Sequence, residues 1–320
     1  MEMKPEIIER LKSLEEKYNA TGQDLLSYLD GLLYADYLTY WDYIHVDTLL
    51  SLQNPKTQFP DEQIFIIYHQ ITELYFKLCL SEIDQITAKD QVDGKFLLKR
   101  IGRINNYFEN LVRSFDIMVD GMEPEQFLKF RMSLLPASGF QSAQYRMIEI
   151  CSTDFIRLVD KRFRDEFINN GIDVIEKLFE QIYWKSGATE LATGKKTLTL
   201  RQFEEKYAAS LIALAKQYKT KNLWQIYLRL SKEEQNDPKL MAAFKMLDTN
   251  VNVNWPLSHY KSAVRYLQKD PEDIAATGGT NWQKYLPPRF QKRIFYPELF
   301  TQQELDEWGK AWVKREVFGF

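Results

Sequence analysis

Asp61-Glu62-Gln63-Ile64-Phe65-Ile66-Ile67-Tyr68-His69-Gln70-Ile71-Thr72-Glu73-Leu74 is the stretch on which the reading of this chain turns. No Pro or Gly occurs from Asp61 to Val92, so the segment predicts one long helix. At 3.6 residues per turn Phe65 and His69 share a face. Ile64, Tyr68, Ile71, Tyr75 and Leu78 form an adjoining apolar stripe. The chain has only three histidines. A single imidazole beside an aromatic ring is either one wall of an active site or a core histidine bonded to a carbonyl.

The same helical period runs outward in both directions. Glu6 to Tyr18 reads as an amphipathic helix ending near Gly22, followed by helical stretches from Gln23 to Asp36 and His45 to Gln53. Beyond the long helix, Lys95 to Val119 is expected to be helical up to Gly121. Pro124 opens a shorter helix that stops before Pro136, and Ser138 is expected to cap a helix over Gly139 to Ile150. Residues 152–168, 172–185, 200–217 and 239–250 read as further helices. Ser186 to Thr199 reads as an exposed loop. Lys196 to Leu200 is the one short alternation of strand type. With no internal repeat or dividing linker, the expectation is a single all-α domain over residues 1–320, a helical bundle with residues 1–35 as an N-terminal helical arm.

Composition narrows the function. The 320 residues suffice for a large core, and 20 Phe, 18 Tyr and 7 Trp suit either that core or a pocket for a flat ligand. A formal net charge of −3 leaves no basic surplus, so nucleic acid is not the expected partner. Cys79 and Cys151 form no metal or redox spacing, which suits a reducing, cytoplasmic setting. No apolar run reaches membrane-spanning length and no cleavage signal follows Met1, so no membrane association is expected. No histidine has Glu three residues before it, which disfavours a di-iron bundle. Neither a Gly-x-Ser-x-Gly elbow nor a Gly-x-x-x-x-Gly-Lys loop occurs. Three histidines remain enough to hold one haem through a single imidazole, with another on the open side.

Further fragments sharpen this as a set. Leu38-Thr39-Tyr40-Trp41-Asp42-Tyr43-Ile44-His45-Val46-Asp47 precedes the His69 helix. Phe127-Leu128-Lys129-Phe130-Arg131 is followed by Pro136-Ala137-Ser138-Gly139-Phe140-Gln141-Ser142-Ala143-Gln144-Tyr145-Arg146-Met147-Ile148-Glu149. Later come Trp255-Pro256-Leu257-Ser258-His259, Thr277-Gly278-Gly279 and Phe295-Tyr296-Pro297-Glu298-Leu299-Phe300. In this order they resemble the tryptophan 2,3-dioxygenase family, closely over residues 36–150 and more loosely over 245–300.

The resemblance implies an all-α homotetramer with one haem b per subunit, in which O2 opens the indole ring of L-tryptophan to give N-formyl-L-kynurenine. Carried over by position, it makes His259 the proximal iron ligand and His69 the distal residue facing the indole N–H. Phe65 and Phe127 line the substrate pocket, Arg131 holds the substrate carboxylate, and Thr277 lies in a loop over its amino-acid end. Tyr40, Tyr43 and Ile44 match residues that reach a neighbouring subunit's pocket, which puts the N-terminal arm at an oligomer interface. The residue chemistry agrees: an indole needs a flat apolar slot and one acceptor, and a carboxylate is best met by an Arg fork. With His69 the one obvious acid–base group, poor proton supply favours placing both oxygen atoms in the substrate.

The chain also departs from the family pattern. Phe127 stands where a Tyr is usual, Pro256 lies three residues before His259, and Thr280-Asn281-Trp282 follows Gly279. His45 is unusual as well, and reads as a surface or interface residue, with a pocket role beside Ile44 as the alternative. These changes leave two other readings open: a haem oxygenase, a monooxygenase included, acting on a tryptophan derivative, or a non-catalytic haem-binding helical protein.

Overall fold

The computed structural model describes residues 3–36, 38–134, 141–188, 195–266 and 292–310. The fold is all-α. An isolated bridge joins Val159 and Ile182, and Lys196 holds a further bridge position. Chain contacts group residues 1–54 and 55–320 into two compact units.

Among its described residues the first unit holds four helices, Pro5–Ala20, Leu25–Leu33, Tyr40–Tyr43 and Val46–Leu50. Gly22 makes the turn between the first two with φ +67°, a conformation that favours glycine. Asp24 then caps the second helix by accepting from the N–H groups of Leu26 and Ser27. None of the four helices contains a buried residue. Leu32, Leu33, Tyr34, Tyr40, Trp41, Tyr43 and Leu50 are all exposed. His45 is exposed too and takes φ +50°, so the last helix starts from a left-handed residue that is not glycine.

The second unit is built around the long helix Asp61–Thr87, which packs on Gly94–Ser114 and on Ala143–Ser152. The long helix is five residues shorter than the absence of Pro and Gly predicted, because Asp93 caps the next helix by accepting from Phe96 N–H at 2.8 Å. The next helix breaks at Phe115 and resumes as the short turn Asp116–Val119. The buried seam also lies further round the long helix than expected. Tyr68, Thr72, Phe76, Cys79, Ile83 and Ile86 face the core, whereas Ile71 and Leu78 remain exposed. This is the face that meets Phe108, Tyr145 and Trp255 in one continuous core.

Ser142, not Ser138, caps the Ala143–Ser152 helix, accepting from Tyr145 N–H at 3.2 Å; Ser138 lies outside the described residues. Residues 152–168 and 172–185 are each divided, into the 3-10 turn Phe155–Leu158 with Lys161–Asn169, and into Ile175–Glu180 with Tyr183–Gly187. Leu198–Tyr218 is one helix, so the Lys196–Leu200 alternation is its entry and not a strand.

The C-terminal part of the core is a single helical rod in three registers. Pro238–Thr249 is α-helical, Asn250–Asn254 is a π turn, and Trp255–Tyr266 is α-helical again. The Trp255–Tyr266 helix starts one residue before Pro256, and the chain widens into the π turn just ahead of it. A proline ring clashes with the carbonyl four residues earlier and has no N–H to offer, and a π turn relieves both demands. Asp248, fully buried, then fixes a later segment by accepting from the N–H groups of Phe295 (2.8 Å) and Tyr296 (2.9 Å) and from Asn252 Nδ2 (2.7 Å).

Candidate functional site

Two histidines from separate helices meet in one aromatic site. His69 lies on Asp61–Thr87 and His259 on Trp255–Tyr266. Each ring uses Nδ1 on the carbonyl one turn earlier: His69 on Phe65 O at 2.7 Å, His259 on Trp255 O at 3.1 Å. A carbonyl only accepts, so Nδ1 carries the proton and each Nε2 keeps its lone pair. Burial holds both rings neutral. It pushes the His259 pKa down to about 4, against the bond to Trp255, and a charge on His69 would depress it further. Burial also lowers His69, opposed by its bond to Phe65 O and by Glu73. The effect of His69 on His259 puts the two imidazoles within electrostatic reach of each other.

The walls are aromatic on both sides. Phe65 lies 4.0 Å from the His69 ring, 5.8 Å from Phe130 and 6.5 Å from Phe127, and Phe127 lies 4.8 Å from Tyr266 at the end of the His259 helix. On the other side Phe115 and Trp255 each lie 4.5 Å from His259, and Phe115 meets Tyr68 at 5.6 Å. A continuous path of rings therefore joins the two histidine helices.

Polar anchors fix these walls. Asp61 accepts from Glu123 N–H at 2.6 Å, which ties the start of the long helix to the turn before Pro124–Phe130. The buried Glu62 carboxylate accepts from Lys56 N–H (2.8 Å) and Thr57 N–H (2.7 Å). At the other helix, Ser262 Oγ donates to Met118 O at 3.1 Å and Tyr266 OH to Met122 O at 3.2 Å. Arg131 opens a 3-10 turn directly after the fully buried Phe130, and partial burial lowers its pKa.

Several expected residues thus come together: His69, Phe65, Phe127 and His259 share the site, and Arg131 follows the helix that supplies Phe127. Thr277 and its neighbours Gly278 to Trp282 lie outside the described residues. Tyr40, Tyr43 and Ile44 belong to the first unit, where the two tyrosines are 72% and 73% exposed. The sequence reading missed Phe115, Phe130, Trp255 and Tyr266 as walls. For Phe130, Trp255 and Tyr266 the signal is only a spacing of three to seven residues from Phe127 or His259, which many core aromatics also satisfy, and Phe115, twelve residues before Phe127, gave none.

The donor set can be weighed against the cofactor expected from sequence. Among the described residues no group of three or more His, Cys, Asp or Glu side chains is gathered, so a bare cation would find too few ligands. An iron porphyrin brings four nitrogens of its own and asks for one neutral imidazole between flat apolar walls. His259, with Nε2 available and flanked by Phe115 and Trp255, fits that demand.

The fold and site define an all-α protein whose aromatic centre is flanked by two neutral, Nε2-presenting histidines. Residues 32–180 match the sequence model of tryptophan 2,3-dioxygenase. A tryptophan 2,3-dioxygenase of Ruegeria sp. (strain TM1040) is 41% identical over 117 residues, which is 36% of this chain and 42% of that relative. Those of Polaromonas naphthalenivorans (39% over 115 residues) and Bacillus thuringiensis strain Al Hakam (37% over 119) cover 35% and 36% of this chain, and 40% and 42% of those relatives. The chain therefore spans about two fifths of the length of the relatives it matches. His69, Phe65, Phe127 and Arg131 fall within residues 32–180; His259 falls beyond them. Among the described residues no helix is long and apolar enough to cross a membrane.

Proposed function

We propose that this chain is a haem-dependent dioxygenase that opens the indole ring of L-tryptophan with O2, giving N-formyl-L-kynurenine. The observation that carries the proposal is the pair of neutral imidazoles, each with Nδ1 committed to a helical carbonyl and Nε2 left for the site. His259 is assigned to hold the iron of haem b. The haem iron supplies O2 activation when bound. His69 Nε2 accepts the indole N–H, and its depressed pKa keeps that lone pair available at neutral pH. Phe65 and Phe127 form the slot that excludes water from the indole ring. Arg131 is assigned the substrate carboxylate, for which its planar fork is the best partner. Thr277 is assigned to the amino-acid end of the substrate on the strength of the sequence resemblance.

We further propose a homo-oligomer, a tetramer as in the family, in which Tyr40, Tyr43 and Ile44 complete a neighbour's pocket. Their support is the run of apolar side chains that the first unit leaves exposed.

Product analysis tests the reaction. Reduced, haem-loaded protein supplied with L-tryptophan and isotopically labelled O2 should form N-formylkynurenine carrying two labelled oxygens. One labelled oxygen would identify a monooxygenase, the reading with which the altered sequence after Gly279 is consistent. No turnover despite haem uptake would leave a haem-binding protein.

A further inference from the structure

The π turn ahead of His259 leaves one carbonyl with a particular problem. Trp255 N–H reaches back five residues to Asn250 O, not four to Val251 O. Continuing that register, the donor due to Val251 O would come from residue 256, which is Pro256 and has no N–H. Val251 is fully buried, so its carbonyl cannot turn to water and must find a protein donor. The donor is Tyr145, whose hydroxyl lies 2.6 Å from Val251 O across 106 residues of sequence.

Tyr145 is well placed to hold that position. It is buried on the Ala143–Ser152 helix, and its ring lies 5.5 Å from Phe76, which in turn meets Trp255 edge-on at 5.8 Å. Amide side chains brace the same turn. Asn250 Nδ2 donates to Asn105 Oδ1 at 3.4 Å, Asn254 Nδ2 to Asn250 Oδ1 at 2.9 Å, and Asn105 Nδ2 to Ala243 O at 2.9 Å. The register matters downstream because one residue of helix is about 100° of rotation and about 1.5 Å of rise. His259 lies four residues after Trp255 and takes its ring orientation from Trp255 O.

We propose that Tyr145 is a positioning residue for His259: its hydroxyl replaces the N–H that Pro256 lacks, holds the π turn, and so aims the imidazole. This inference rests on the assignment of His259 as the iron ligand, and extends it to a residue that acts through the backbone of the His259 rod. Tyr145→Phe keeps the aromatic ring in place and removes the hydroxyl that donates to Val251 O. Pro256→Ala restores a backbone N–H in the position where Val251 O needs one. The pair therefore predicts rescue, which a general packing role for Tyr145 does not.

The test uses the full chain as wild type, Tyr145→Phe, Pro256→Ala and the double variant. In haem-free protein the ring-proton resonances of His259 should shift in Tyr145→Phe and return toward wild type in the double variant. In haem-loaded ferrous protein the iron–histidine stretching band should move or broaden in Tyr145→Phe, with haem affinity about tenfold weaker, and both should recover in the double variant. If Tyr145→Phe alone does not accumulate as folded protein, recovery of a folded, haem-binding chain by Pro256→Ala supports the proposal and failure to recover overturns it. Unchanged His259 resonances and an unchanged band in folded Tyr145→Phe overturn it, as does a double variant no closer to wild type. A wild type that binds haem with no iron–histidine band removes the iron assignment, yet the haem-free resonances still decide the role of Tyr145.

Discussion

The helix of His69 and the helix of His259 solve one problem by different means. Both present a neutral imidazole with Nδ1 on the carbonyl one turn back, so both leave Nε2 to the site. The first does so from an uninterrupted α-helix of 27 residues. The second does so from a rod that changes register at Asn250–Asn254 and carries a proline three residues before the histidine. Family similarity follows the same division, since residues 32–180 include the first helix and stop well short of the second. Regular backbone leaves a strong local signature, whereas a helix aimed by a register change depends on partners distant in sequence, here Tyr145 and Asn105.

The sharpest way to break the comparison is to remove each imidazole in turn. His259→Ala should lose most of the haem, while His69→Ala should retain it with altered binding of exogenous ligands and of tryptophan. Haem content after reconstitution and desalting measures this directly. Full haem content in His259→Ala would reverse the two assignments or move the ligand elsewhere.

Acid should expose the next largest difference. The His259 pKa of about 4 in the folded chain lies below its ordinary value, so the unfolded chain takes up a proton first as pH falls. Stability from this residue is therefore intact above about pH 6.5 and is lost progressively toward pH 4, by about 3 kcal/mol. Asp248 acts in the opposite sense: burial raises its pKa to about 7, so protonation favours the folded chain as pH falls. Haem-free wild type and His259→Phe share that contribution, and comparing their urea midpoints at pH 7, 5.5 and 4 isolates the imidazole. Equal losses of stability in the two proteins would show that His259 is not held neutral by burial.

Legibility in the sequence followed the same physical line. The long helix, its capped neighbours and the facing of Phe65 and His69 follow from local periodicity and the lack of breakers. The shift of the buried seam to Tyr68, Thr72 and Phe76 does not, because which apolar stripe is buried depends on the helices opposite. Helix ends at Thr87 and Phe115 are set by a cap and by packing that no breaker announces. Pro256 was visible as an anomaly, but its resolution as a π turn required a buried hydroxyl from another helix. Asp248 gave no signal in sequence, since an acidic residue at a helix end is ordinarily solvated and its partners Phe295 and Tyr296 lie 47 and 48 residues away.

The smallest expected effect concerns the slot wall on the His69 side. Phe65 is half-buried and packs its ring on His69 at 4.0 Å, with Phe130 and Phe127 beyond. Phe65→Ala removes a ring that faces the site more than the core, so the fold should lose less than for a fully buried phenylalanine. Indole binding should weaken by about 1 to 3 kcal/mol, the range for emptying part of an aromatic slot. The His69 bond to Phe65 O is a backbone contact and survives the substitution, so the ring keeps its tautomer and the haem its content. Tryptophan titration followed through the haem absorbance of Phe65→Ala would read both quantities at once. Unchanged tryptophan affinity would place the indole away from Phe65, on the Phe115–Trp255 side of the site.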